Sequence, residues 1–352
     1  MKSIKYLLIC SLVTLLAVSC DKGLDPIEAV APGPDELAPE LQINYPVEGK
    51  PFVSPDEVAT ITFKFVAVDD IELKSIVMVL DGKEIDTMTS FKDYRRADVK
   101  YDYDNMTDGQ HTFTVTVTDK TDKSVSESVN FSKVTAPVYT PLDGEVLYLP
   151  LDGFTLDLIT GNEVTIVGTP GYAAGKVNDA YAGATDAYMT YPADIVTGSQ
   201  EFSLSLWYKI NAEPTRAGIF EISPASEDRT TGLRFFRENS GTNQNLGLNF
   251  GNGAEVWLNP FVTVPPDEDW MHIAIVISAT HTAIYVNGEI VKEQDLDAPI
   301  SWTGCTSISI ASGEPNFVYW EHFSDLSLYD EIHLFKRALT AEEVQSFYIV
   351  KK

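Results

Sequence analysis

The sequence reads as an all-β protein in which one β-sandwich follows another. Short runs of alternating apolar and polar residues recur along most of its length, Gly, Pro, Asn and Asp separate them, and a single segment, TAEEVQSFY, carries a helix signature. Alternation at period two marks half-buried strands, and many such strands with hardly any helix belong to sandwiches rather than to βαβ folds. At 352 residues the chain has room for two domains of ordinary size, and an apolar fraction of 44% is enough to fill two cores.

Residues 1–19 read as an export signal. Lys2 and Lys5 supply the positive start, and YLLICSLVTLLAVS is an apolar run too short for a comfortable membrane span. Small residues precede Cys20, and LAVSC resembles the lipobox of bacterial lipoproteins. That resemblance implies cleavage before Cys20, a diacylglycerol on its sulfur and a membrane partner through the lipid; a plain secretory signal is the alternative. With the leader gone, Cys20 and Cys305 remain, so no disulfide framework is expected and Cys305 reads as a small buried hydrophobe. Residues 20–38, rich in proline and acids and without periodicity, read as a flexible tether.

Residues 39–134 hold LQINYP, ATITFKFVAV, SIVMVLDGKEI, HTFTVTVTD and SVSESVNFS, five alternating strands. Asp81-Gly82 and Asp108-Gly109 are tight-turn signals, because both dipeptides tolerate positive φ. The order P-x-L-x-I-x-Y-P-x-x-G, then DD-I-x-x-x-V, then DGQHTFTVTVTD resembles bacterial immunoglobulin-like modules, without a Cys–Trp–Cys core. The resemblance implies an immunoglobulin-like sandwich that serves as a spacer. Residues 135–142, TAPVYTPL, are a proline-punctuated linker.

From 143 to 352 strand follows strand: EVLYLPL, EVTIVG, AYMTYP, FSLSLWYKI, GIFEIS, GLRFFR, LGLNFG, EVWLNP, SISIAS and LYDEIHLFK. Between EVWLNP and SISIAS, DWMHIAIVISATHTAIYVNGEIVK is a meander whose last turn is Asn287-Gly288. Both faces of this meander are apolar, which suits a sheet packed between layers. Thr340 and Glu343 form a capping box at the start of the one helix. The sum is a jelly-roll sandwich.

Several of these segments occur in an order that resembles the laminin-G-like, concanavalin-A-like domains of bacterial surface proteins. LYLPLDG with Asp157 and Gly161-Asn162 looks like the family opening, and GKVNDAYAGATDAYMTYP is similar to its second segment. FSLSLWYKI, DWMHIAIV, IYVNGEIV and YDEIHLFKRALTAEEV then follow in family order. The resemblance implies that Trp207, Trp270 and His272 are core residues. It also implies a structural calcium at the sandwich rim, held by Asp152 or Asp157 together with Asp330. One acid of the family's usual pair is Tyr329 here, and solvated rim acids are the alternative.

Chemistry is sparse. The 52 acidic against 25 basic residues give a charge of −27, which repels phosphate backbones and argues against a nucleic-acid partner. Laminarinase-like enzymes on this fold carry E-x-D-x-x-E on one strand, placing carboxylates on one face. The nearest match is FEISPASED, where Glu221 is followed by Ser223 and Pro224, so the central acid is missing. Asp330 and Glu331 alternate across a strand, no H-E-x-x-H spacing occurs, and a non-catalytic protein is expected. Sugar recognition needs aromatic rings beside polar groups, and Trp257, Trp302, Tyr319 and Trp320 lie outside the recurring core motifs. They are the glycan-binding candidates, with core packing as the alternative fate of each.

The expectation is therefore a Bacteroidetes-type lipoprotein on the outer membrane, facing the cell surface. It would bind polysaccharides or oligosaccharides for an uptake system. Two alternatives stand beside it: an accessory subunit that docks on a TonB-dependent transporter complex without a sugar site, and a degenerate glycoside hydrolase.

Overall fold

The computed structural model describes residues 33–266 and 269–350; the leader, Cys20 and most of the tether lie outside the described residues. The first strands are β1 (Glu40–Tyr45), β2 (Pro51–Ser54), β3 (Val58–Val68), β4 (Leu73–Leu80), β5 (Lys83–Met88), β6 (Arg96–Thr107), β7 (Gly109–Asp119) and β8 (Ser124–Thr135). They form a three-stranded sheet, β1-β3-β6, and a five-stranded sheet, β2-β8-β7-β4-β5. The chain divides into two compact units. One holds the described residues up to Lys50, Thr60–Tyr103 and Gln110–Phe131, and the other holds Pro51–Ala59, Asp104–Gly109 and Ser132 onward.

The core of the first unit follows from alternation. Ile61, Phe63, Phe65 and Ala67 on β3 are buried, as are Ile76 and Met78 on β4 and Phe113, Val115 and Val117 on β7. Phe63 stacks on Phe113 at 3.9 Å between ring centroids. Asp81 and Gly82 have φ of 52° and 78°, the two positive values that a type I′ hairpin turn requires. Strand β6 was missed in the sequence, although Ala97, Val99 and Tyr101 alternate there with Arg96, Asp98 and Lys100. Its outward positions are charged, and its buried ones include the small Ala97 beside Val99 and Met106.

The second unit continues with β9 (Glu145–Leu149), β10 (Thr165–Val167), β11 (Gly171–Ala174), β12 (Asp179–Ala182), β13 (Tyr188–Pro192), α1 (Asp194–Thr197), β14 (Phe202–Lys209), β15 (Arg216–Ile222) and β16 (Leu233–Ser240). It ends with β17 (Asn243–Gly251), β18 (Glu255–Trp257), β19 (Val262–Val264), β20 (Met271–Ile277), β21 (His281–Val286), β22 (Glu289–Asp295), β23 (Ser307–Ile310), β24 (Leu328–Phe335) and α2 (Ala341–Val350). Two eight-stranded sheets result. One runs β10-β13-β23-β15-β16-β17-β18 with β19 beside β17, and the other runs β11-β12-β24-β14-β20-β21-β22 with β9 beside β24.

The meander shows why both of its faces are apolar. Ile273, Ile275, Ile277 and Ile284 enter the large core between the sheets, with Phe220, Phe235, Leu248 and Ile308. Ala274, Val276, Ala283 and Tyr285 point the other way and meet Phe335, Leu339 and Val344 in a second cluster, which takes in α2. That helix is capped as expected: Thr340 N donates to Glu343 Oε2 at 2.8 Å, and Glu343 N donates to Thr340 Oγ1 at 3.2 Å. Among the described residues no helix is long and apolar enough to cross a membrane.

Candidate functional site

The outer face of the first large sheet is built from a cross-strand row. Ser309 on β23 stands opposite Glu221 on β15, Glu221 opposite Arg234 on β16, Arg234 opposite Asn249 on β17, and Asn249 opposite Trp257 on β18. The neighbouring row is Gly218, Phe236 and Gly247. Both glycines are there for space. A Cβ on Gly247 would lie 2.5 Å from the Phe236 ring, and one on Gly218 would lie 2.1 Å from the Gly313 nitrogen. The bare backbone of β15 therefore lets the segment after Ser312 close over the sheet.

That segment carries aromatics onto the face. Phe317 and His322 are fully buried and stack at 4.9 Å with 11° between their planes. His322 lies 4.3 Å from Phe236, and burial presses its imidazole down to about 3, so it is neutral here. Trp320 emerges beside them and stacks on Trp257, centroids 5.0 Å apart and planes 27° apart. Tyr319 stands edge-on to Trp320 at 5.3 Å, and Phe261 is 6.0 Å from Trp257. Trp257, Phe261, Tyr319 and Trp320 are all partly exposed. The Arg229 guanidinium sits 5.3 Å over the Trp320 ring and pairs with Glu255 at 3.2 Å, so charged donors and acceptors border the rings.

Three of the four aromatic candidates thus converge, and Trp302 does not join them. It is buried, lies T-shaped against Phe202 at 5.6 Å, and its Nε1 donates to the Ser199 carbonyl at 2.9 Å. An indole whose only donor is satisfied inside the core has nothing to offer a ligand. Trp207 and His272 are buried as expected, with ring centroids 5.4 Å apart, but Trp270 is only half-buried and is not a core residue. Sequence reasoning missed Phe261 and Arg229, neither of which sits in a recognisable motif.

Beyond Trp320 the same segment borders an open groove of about 720 Å³, lined by Thr185, Asp186, Arg216, Glu321, Phe323 and Ser324 among others. Arg216 Nη1 donates to the Trp320 carbonyl at 2.9 Å, which fixes the backbone between platform and groove. Phe323 is 48% exposed there, and the buried Ser324 hydroxyl has no hydrogen-bond partner among the described residues.

Glu221 lies under this cover, wholly buried. Neither carboxyl oxygen meets a described donor in hydrogen-bonding geometry. Burial pushes its carboxyl up to about 8, with Ser223 and Arg234 opposing, so it is mainly a neutral acid at pH 7. Its cross-strand neighbours are Arg234 and Ser309, neither of them an acid.

The three rim acids separate into two kinds. Asp157 is buried and saturated: Oδ1 accepts from the Tyr148 and Ile159 amides at 3.1 and 3.0 Å, and Oδ2 from Thr160 Oγ1 and Tyr191 OH at 2.6 and 3.2 Å. It holds a turn and has no oxygen left for a cation. Asp152 and Asp330 instead grip one loop, taking Asn178 Nδ2 at 3.0 Å and Val177 N at 2.9 Å. Asp330 Oδ1 is buried with no donor among the described residues. Burial, the Glu331 charge and the Asp152 charge push the Asp330 carboxyl up to about 7. The expected alternation of Asp330 and Glu331 does not hold. Glu331 has φ of 51°, and the pairing of β14 with β24 slips there, a bulge that disturbs the pleat. Hard oxygen donors, one of them an orphaned buried carboxylate oxygen, fit a calcium ion at Asp152 and Asp330.

Other buried charges are consumed within the fold. Arg237 and Asp325 are wholly buried and 2.8 Å apart, and Tyr208 and Tyr329 donate to the same carboxylate at 2.5 and 2.6 Å. Glu145 accepts from Tyr139 OH at 2.7 Å and meets His333 Nδ1 at 2.6 Å, while Cys305 is buried with its thiol pushed up to about 11 by burial.

Comparison with known proteins places the sandwich. No curated protein matches the chain in sequence. Among solved structures, Domain 4 of AbnA, a GH43 extracellular arabinanase from Geobacillus stearothermophilus in complex with arabinotriose, aligns with 20% identity and a TM-score of 0.48 over 58% of this chain and 98% of that one. The receptor binding domain of botulinum neurotoxin C/D mosaic serotype aligns with 15% identity and a TM-score of 0.45 over 59% of this chain and 51% of that one. The binding domain of Paraclostridial Mosquitocidal Protein 1 aligns with 14% identity and a TM-score of 0.44 over 58% and 52%. The chain thus spans about half the length of the two toxin domains. The laminin G family model described as the concanavalin A-like lectin/glucanases superfamily matches residues 183–345, the stretch that carries the aromatic platform and the groove. The chain therefore carries a domain of the concanavalin A-like lectin/glucanase superfamily.

Proposed function

We propose that this protein is a non-catalytic glycan-binding lipoprotein, with the platform of Trp257, Tyr319 and Trp320 as its sugar site. The observation that carries the reading is the Trp257–Trp320 stack on the outer sheet face, bordered by Arg229 and Glu255. Indole faces take the apolar faces of pyranose or furanose rings, and the charged rim takes hydroxyls. The groove beside Arg216 and Glu321 extends the surface for a chain rather than a single sugar. The non-catalytic part of the reading rests on the sequence, where Ser223 stands in place of the central acid of the E-x-D-x-x-E strand that begins at Glu221. A calcium ion held by Asp152 and Asp330 would lock the loop at Val177–Asn178. The immunoglobulin-like spacer and a lipid on Cys20 would hold the domain off the outer membrane, facing outward and feeding an uptake system.

Affinity electrophoresis of the protein against plant and host polysaccharides tests this. Retardation by at least one polysaccharide is expected. If none retards it, the sugar reading fails and docking on a TonB-dependent transporter complex takes its place. One observation favours that second reading: Ile290 on the edge strand β22 and Ile349 on α2 are 46% and 59% exposed and border one shallow surface.

A further inference from the structure

The first unit holds a group of acids that nothing in the sugar-binding reading uses. Asp35, Asp69 and Asp119 each offer a carboxylate oxygen, and these oxygens lie within 4.8 Å of one another. They come from three separate places: the segment entering the unit, the turn between β3 and β4, and the end of β7. Asp69 and Asp119 are buried, and Asp35 is half-buried with its carboxylate turned inward. The Asp35 and Asp119 side chains are 4% and 0% exposed, and Asp69 is 3% exposed.

Part of each carboxylate is spent locally. Asp69 Oδ1 accepts from the Ile71 and Glu72 amides at 2.9 and 2.6 Å, and Asp119 Oδ1 accepts from the Thr121 and Lys123 amides at 2.7 and 2.9 Å. Lys123 Nζ reaches Asp35 Oδ1 at 2.8 Å, the Asp35 carbonyl at 3.0 Å and Asp119 Oδ2 at 3.3 Å. Two oxygens are left over: Asp35 Oδ2 and Asp69 Oδ2 are buried, and no described donor reaches either. Three carboxylates against one ammonium leave the cluster negative, and a buried anionic oxygen without a donor is costly. The Lys123 side chain is 33% exposed, so its ammonium has a path to solvent that the aspartates lack.

We propose that Asp35, Asp69 and Asp119 form a calcium site. The donors are all hard oxygens, with no histidine or cysteine among them, which selects against zinc and copper. They also sit on turns and a chain end, whose irregular geometry calcium tolerates better than magnesium does. On binding, the ion takes the orphaned Asp35 and Asp69 oxygens, and Lys123 withdraws to expose the Asp35 carbonyl and Asp119 Oδ2 as further ligands. The site clasps the entering segment at Asp35 to two loops of the same unit.

Calcium binding to the full chain, stripped with chelator and followed by calorimetric titration, tests the proposal, with Asp330→Asn as the background that removes the rim site. One ion is expected in that background. Adding Asp69→Asn should abolish its binding or weaken it at least tenfold, and Lys123→Gln should tighten it several-fold by removing a competing cation. Calcium should also protect the chain near Asp35 from limited proteolysis in the background protein and not in the Asp69→Asn variant. If the background protein binds no ion, or binds it equally well with Asp69→Asn, the proposal is wrong. If Lys123→Gln lowers the melting temperature and calcium does not restore it, Lys123 is itself the cation of the cluster and no metal site exists.

Discussion

Trp257 stacks on Trp320 at 5.0 Å, one indole from strand β18 and the other from the segment that closes over the sheet. Neither ring is placed by its sequence neighbours alone. Trp257 is positioned by its register against Asn249, and Trp320 by Phe317, Phe236 and the Arg216 bond to its carbonyl. The platform is therefore a product of the whole sheet, and its members separate cleanly by substitution.

Trp257→Ala should weaken retention by a bound polysaccharide about fivefold, since a stacked ring contributes on the order of 1 kcal/mol or more to recognition. Its melting temperature should change little. Trp302→Phe should show the reverse pattern. It loses the bond to the Ser199 carbonyl at a cost of about 1 kcal/mol in stability and leaves retention unchanged. Trp207→Ala, which empties a buried site, should cost roughly 3–5 kcal/mol of folding. Affinity gels run beside melting curves read both quantities. A Trp302 variant that lost binding at full stability would contradict this assignment.

Glu221 should make stability depend on pH in a defined sense. Its carboxyl titrates near 4.5 in the unfolded chain and is pushed up to about 8 in the folded one. The folded state thus holds a proton that the unfolded state releases. The stabilisation is complete below pH 4.5 and is lost as pH rises through 8. Glu221→Gln removes this dependence, so the variant should gain on the wild type steadily between pH 6.5 and 8.5 in urea melts. Parallel curves for the two proteins over that range would rule out a raised carboxyl. His272, pressed down to about 4 by burial, acts in the opposite direction at low pH and cancels in the comparison.

Calcium at the rim is best measured in an Asp69→Asn background, where the proposed first-unit site is disabled. An ion at a hundredfold excess over its dissociation constant stabilises by about 2.7 kcal/mol, so millimolar calcium should raise the melting temperature. The rise should be larger at pH 8 than at pH 6, because the Asp330 carboxyl titrates at about 7 and only the carboxylate is a ligand. Asp330→Asn should abolish the response. Asp157→Asn should lower stability through its lost hydrogen bonds yet leave the calcium response in place.

Cys20→Ala should shift the protein from the membrane fraction to the soluble one. The residue lies outside the described residues, so the expectation rests on LAVSC alone. A variant that still sediments with the outer membrane by itself would show that the lipid is not the anchor.

Local pattern was enough to find most of the architecture. The isoleucines of the meander, the Asn287-Gly288 turn and the Thr340–Glu343 box each state their role within a few residues, because period-two burial, positive φ and helix capping are short-range requirements. Strand β6 alternates strictly, Ala97, Val99 and Tyr101 against Arg96, Asp98 and Lys100, but its outward aspartates and lysine are poor strand formers, and β12 is only four residues long, too short for a pattern to register. The sites were decided elsewhere. Trp257, Trp302 and Trp320 look alike as isolated tryptophans outside core motifs, and only the sheet register and the fold-over at Gly218 send two to the surface and one inward. Asp152, Asp157 and Asp330 are equally interchangeable on paper. Asp157 is saturated mostly by its own turn, through Ile159, Thr160 and Tyr148, whereas Asp330 meets the Val177 amide from a loop distant in the chain and keeps a buried Oδ1 that no described donor reaches.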